Sequence, residues 1–121
     1  MYYILRLIAK LPLHVLHMIA FSVAFIFLSF NSSIKRITRI NLQLIYPDLP
    51  PDELEQLLRE NVKNQCLTMT EFVKCWGMPP QYSLDLLKNI HGADLLEKAL
   101  ANKKGVIVVI PHFGCWELLN A

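Results

Sequence analysis

From Leu13 to Phe30 the chain reads LHVLHMIAFSVAFIFLSF, 18 residues without a charge. No other feature restricts the fold as much, because such a run must be hidden from water in a core or in lipid. As a helix it would be about 27 Å long, close to the roughly 30 Å hydrocarbon core of a bilayer. The SFNSSIKR that follows has no small-x-small cleavage site, and the run outlasts a signal-peptide h-region. The expectation is therefore an uncleaved transmembrane helix, with residues 1–32 as a membrane anchor and residues 33–121 as a second unit. Arg6 and Lys10 precede the run and Lys35, Arg36 and Arg39 follow it, a slight lean toward a cytoplasmic C-terminal side. Ahead of it, MYYILRLIAKLP reads as an interfacial segment, with Tyr2 and Tyr3 at headgroup depth and Pro12 at a bend.

A net charge of +2 gives no bulk attraction for a polyanion, so no nucleic-acid partner is expected. Cys66, Cys75 and Cys115 are an odd set without a C-x-x-C spacing, against a disulfide framework or a structural zinc site and for a reducing compartment. His14 and His17 share a helix face but have no third ligand nearby, so no metal is expected.

Asn31, Ser32 and Ser33 can cap a helix over IKRITRINLQLIY. Its cations suit a juxtamembrane helix, or a surface for anionic lipid or an acidic protein. Pro47, Pro50 and Pro51 then separate this helix from the next, where Asp52 and Glu53 complement the positive helix start. Leu54, Leu57, Leu58, Val62, Cys66, Met69, Phe72, Val73 and Trp76 recur at three- and four-residue steps, predicting an amphipathic helix of some 25 residues that Gly77 and Pro79-Pro80 stop. Cys66 lies on its apolar stripe, whereas Glu71 lies off it and reads as solvated. SLDLLKNIHG is ambiguous between short helix and strand. ADLLEKALANKKG predicts a helix ended at Gly105.

VIVVI, residues 106–110, is β-branched without alternation and is expected to be a strand buried on both faces. The fold class is then α/β: an N-terminal transmembrane helix, further helices and the first part of a sheet domain. After the strand come Pro111, His112, Gly114, Trp116 and Glu117. On one helix His112 and Glu117 would lie about 140° apart, and on one strand they would face opposite ways. A turn at Gly114 brings them together at the carboxyl end of a strand, where open α/β sheets place chemistry. A histidine with an ordinary pKa of about 6.5 is the natural general base, and a carboxylate on its other nitrogen fixes the tautomer. Spacing alone leaves a second reading equally open, with His112 bonded to a loop carbonyl and Glu117 serving as a helix N-terminal acid.

At these residues the chain resembles the late acyltransferases of lipid A biosynthesis, the lauroyl/myristoyl transferases within the lysophospholipid acyltransferase group. GVIVVIPHFGCWE is similar to their H-x-x-x-x-E block, with His112 and Glu117 at the motif positions. RITRINLQLIYPDLP is similar to their Arg-rich segment, on Arg36, Arg39, Asn41, Leu42, Tyr46 and Pro47, and TEFVKCW supplies Glu71 and Trp76 of a third block. The resemblance implies a transferase at the bacterial inner membrane, its catalytic part facing the cytoplasm. It would move an acyl chain from acyl carrier protein to a hydroxyl of a lipid A precursor without cofactor. His112 and Glu117 would be catalytic, and Arg36 and Arg39 would bind substrate or the acidic carrier. Such enzymes continue well beyond this length with an Arg-Gly block, so the chain is expected to be a fragment. Its alternatives are a non-catalytic membrane-anchored segment that binds a partner, and a thiol enzyme with Cys115 as nucleophile.

Overall fold

The computed structural model describes residues 2–111 and 114–120, and every described element is helical. α1 (Tyr2–Ala9), α2 (Leu13–Ser29), α3 (Ser33–Ile45), α4 (Pro51–Gly77), α5 (Pro80–Leu86) and α6 (Ala93–Ala101) are followed by a 3-10 turn at Trp116–Asn120.

α4 is the spine. It begins on Pro51, whose missing N–H costs nothing in a first turn, and carries Asp52 and Glu53 against the helix dipole. At 27 residues it is about 40 Å long. α2 lies antiparallel along it: His17 faces Glu71 at one end, Lys63 sits over the Phe21 ring further along, and Ala20 and Ala24 are buried with Leu54, Leu58 and Val62. The small alanines let the two backbones approach. Each fully buried Leu or Val contributes roughly 1.5–3 kcal/mol, so this seam supplies most of the cohesion. α3 closes the opposite end through Leu42 and Thr38, whose hydroxyl accepts from Gln65 Nε2 at 3.2 Å. The α2–α3 corner is tied by Ser32, which accepts from the Lys35 N–H at 3.2 Å, and by Lys35 Nζ, which donates to Leu28 O at 2.8 Å. α1 packs across the C-terminal end of α4, where a Cβ on Gly77 would overlap that of Ala9.

Two expectations are corrected. The first is the α/β sheet: VIVVI is not a strand, and Ile107 and Val109 are 93% and 88% exposed. A strand exists only through a ladder, and among the described residues no other segment is extended beside this one to exchange hydrogen bonds with it. The second is the transmembrane helix. The apolar run is helical as expected, but no single described helix is long and apolar enough to cross a membrane. α1 and α2 meet that test only as a pair, and they are bent by 108° at Pro12. Leu16, Ala20 and Ala24 are buried within the bundle, so the inner face of α2 is taken by protein.

Candidate active site

The turn that bears Glu117 docks on the last two turns of α4. Gly114 takes a positive φ of 57°, as a sharp change of direction requires. The chain then folds so that Trp116 meets the Phe72 ring edge-on, with centroids 4.5 Å apart. Phe72 also touches Trp76 at 5.5 Å, making a three-ring cluster. Trp76 Nε1–H donates to Glu117 Oε2 at 2.9 Å. A hydrogen bond to a charged group is worth about 1.5–3 kcal/mol, enough to hold this carboxylate oxygen in place.

Beside this contact, Cys75 Sγ lies 3.6 Å from Cys115 Sγ. Burial, reinforced by the neighbouring Cys75 and by the charge of Glu71, pushes the Cys115 thiol up to about 12. A thiol nucleophile needs its pKa lowered, and the surroundings of Cys115 act in the opposite direction. Burial likewise pushes the Cys66 thiol up, in keeping with a packing role. Glu71 is half-buried rather than fully solvated: its Oε1 lies 3.6 Å from His17 Nε2, a buried nitrogen without a hydrogen-bond partner among the described residues. That distance is a charge contact, too long for a hydrogen bond. No group of three or more metal-ligating side chains occurs among the described residues.

A groove of about 900 Å³ opens between α2 and α4. Ile19, Val23, Phe27, Met69 and Val73 line it, with Gly114 and Trp116 at the wall nearest the turn. Its size falls within the roughly 300–1,000 Å³ of small-molecule sites.

Of the residues singled out from the sequence, Glu117 is placed here and His112 lies outside the described residues. Arg36 and Arg39 are elsewhere. Arg39 Nη2 pairs with Glu55 Oε2 at 2.8 Å, and Glu55 is about 30 Å along α4 from Trp76 at 1.5 Å per residue. Arg36 is exposed on the same helix. The Trp76–Glu117 bond was not foreseen. Both residues stood in separate family-like blocks, and only the fold shows that the blocks touch.

The bundle thus seats a Glu-bearing turn beside an apolar groove. The family of bacterial lipid A biosynthesis acyltransferases matches residues 1–120, and the chain belongs to it. The lipid A biosynthesis palmitoleoyltransferase of Escherichia coli (strain K12) is 30% identical over 82 residues, which are 68% of this chain and 26% of that protein. A lipid A biosynthesis acyltransferase of Shigella flexneri matches with the same identity and coverage. The chain thus spans about a quarter of the length of these curated relatives. No solved structure matches it.

Proposed function

We propose that this chain carries the catalytic His-Glu pair of an acyltransferase that moves a fatty acyl group from the thioester of acyl carrier protein to a hydroxyl of a lipid A precursor. The observation that carries the reading is the apolar groove of about 900 Å³, which ends at the turn bearing Glu117. An acyl chain is the substrate part that such a groove suits, and the names of the relatives supply the reaction class.

In this reading His112 takes the proton of the acceptor hydroxyl as its oxygen attacks the thioester carbon. The tetrahedral intermediate collapses, the C–S bond breaks, and the imidazolium returns its proton to the departing thiolate. Glu117 holds the second ring nitrogen and stabilises the imidazolium, and Trp76 holds Glu117. No covalent enzyme intermediate or cofactor enters these steps. Arg36 and Arg39 serve the acidic carrier protein on α3, away from the chemistry. The setting is the cytoplasmic side of the bacterial inner membrane, and the chain is the N-terminal portion of the enzyme.

The test uses the native polypeptide isolated from its own membranes, its intact mass compared with 14.0 kDa. Acyl transfer is then assayed from acyl carrier protein thioester. His112→Ala is expected to lower transfer by roughly 10²–10⁴-fold without changing the melting temperature. Unchanged turnover in His112→Ala would sink the proposal.

A further inference from the structure

Two cysteines that stand 40 positions apart in the chain meet where the turn bearing Glu117 rests on α4. Cys75 Sγ and Cys115 Sγ are 3.6 Å apart, and both are free thiols. A disulfide holds its sulfurs about 2.05 Å apart, so these two need to approach by only about 1.5 Å. A change of χ1 rotamer at either cysteine moves its sulfur far enough while α4 stays in place. The next contact along is the bond from Trp76 to Glu117, so the sulfur pair and the indole tie the same two segments together.

Both cysteines also line a cavity of about 210 Å³ walled mainly by Leu13, Tyr82, Leu86 and Leu118. A water molecule takes up about 30 Å³, so the cavity suits a small oxidant rather than a peptide-sized one. Cys66 is placed differently. It belongs to the core beside α2, nine residues back along α4, or about 13 Å. No group of three or more metal-ligating side chains includes the pair among the described residues. What the site offers is the chemistry of two adjacent thiols.

We infer that Cys75 and Cys115 form a dithiol site for a small hydroperoxide, which closes them to a disulfide and latches the Glu117 turn onto α4. The two free thiols are its reduced state. Cys75 reacts first: its thiolate attacks one oxygen of hydrogen peroxide, the O–O bond breaks, and a sulfenic acid forms. The departing hydroxide takes the proton that the Cys75 thiol gave up and leaves as water. Cys115 then attacks the Cys75 sulfur, the S–S bond forms and the S–O bond breaks. Hydroxide again departs as water, with the proton from Cys115. The two thiols lose two electrons and the peroxide gains them. The order follows from the surroundings of Cys115, where burial and then Cys75 itself hold the thiol proton. Once Cys75 is oxidised its share of that hold is gone, and the second step runs within one molecule across a contact already made.

The bond encloses residues 76–114, which include α6, without a buried residue, and the exposed stretch 106–110. Closing a long loop is where a cross-link restricts the unfolded chain most. In a reducing compartment such a pair is a transient, redox-sensing device rather than a structural staple.

The test treats the full chain with a slight molar excess of hydrogen peroxide, blocks the remaining thiols, and digests the denatured protein with trypsin without reductant. Trypsin places Cys66, Cys75 and Cys115 on separate peptides, residues 64–74, 75–88 and 105–121. Mass spectrometry should find 75–88 linked to 105–121 in a protein that remains monomeric, with Cys66 still blocked as a free thiol. In Cys115→Ser, Cys75 should instead accumulate as sulfinic acid, about tenfold or more above its level in the parent chain. A link that involves Cys66, links between molecules, or equal sulfinic acid in both chains would overturn the inference. Limited digestion of the folded protein tests the latch. After oxidation and a cut at Lys103 or Lys104, the C-terminal piece should stay with the core through gel filtration and leave when dithiothreitol is added. Retention that dithiothreitol does not reverse would mean that the bond holds nothing, and would also overturn the inference. These readouts are a bond and a mass, so the proposed function stands or falls separately on acyl transfer.

Discussion

Trp76 shows how one atom can matter in this protein. Its ring packs on Phe72 and its N–H reaches Glu117, so the two contributions can be separated by chemistry. Trp76→Phe keeps an aromatic ring and deletes the donor. We expect kcat to fall roughly tenfold or more, with KM and the melting temperature nearly unchanged. In a Glu117→Gln background the same change should cost little further, because the two residues then act on one element of the reaction. Additive losses would mean that Trp76 only packs. Cys115 gives a second prediction at this scale. With its pKa pushed up to about 12, the thiol stays protonated at neutral pH, and its alkylation should be slower than that of an unfolded peptide with the same sequence. The sign for stability follows from linkage. The folded state keeps the proton to higher pH than the unfolded chain, so this contribution is complete below about pH 9 and declines as pH rises toward 12. Docking of the 3-10 turn should accordingly loosen in alkali, which the Phe72–Trp116 contact would report through near-ultraviolet circular dichroism.

At the scale of elements, what could be read from the sequence depended on where each element finds its partners. α3 and α4 were legible because their starts and stops are local: Ser32 caps one, and Pro51, Asp52 and Glu53 open the other. α6 likewise ends where Lys103 and Gly105 adopt positive φ. VIVVI was misread because β-branched composition specifies a preference, whereas a strand needs a neighbour. The α2 run was read correctly as a helix and incorrectly as a span. Hydropathy reports how apolar a segment is, not whether one face is already taken, and Ala20 and Ala24 are the residues that turn that face to α4. Glu71 and Trp76 could not be paired with His17 and Glu117 from spacing, since those contacts join residues 54 and 41 positions apart. The α1–α4 crossing supplies a prediction of its own. Gly77 has no room for a side chain against Ala9, so Gly77→Val should destabilise the chain by about 1–3 kcal/mol and release α1. Hydrogen exchange would show this as faster amide exchange in α1 than in α3, and equal exchange in both would contradict the crossing.

Across the whole molecule, cohesion follows α4. α1, α2, α3 and the 3-10 turn all touch it, and the core of Ala20, Ala24, Leu42, Leu54, Leu58 and Val62 is strung along its length. α6 buries no residue, and residues 106–110 are exposed throughout. Stability is thus uneven, greatest in the α2–α3–α4 seam and least from α6 to Ile110. Limited trypsin digestion should reveal this order. Lys103 and Lys104 are exposed beside a segment with no buried contact, whereas Lys74 is buried under Tyr82 and Lys35 is tied to Leu28. Cleavage is expected first at Lys103 or Lys104, then at Lys88, with a resistant core that contains α1 to α4. Once the covalent link is cut, the C-terminal piece is held by non-covalent contacts alone, among the described residues those with Phe72, Cys75 and Trp76. Loss of the Glu117 turn should follow the first cut, detectable by mass spectrometry of the core after gel filtration. Early cleavage at Lys35 or Lys63 would instead mean that α4 is not the element around which the others are held.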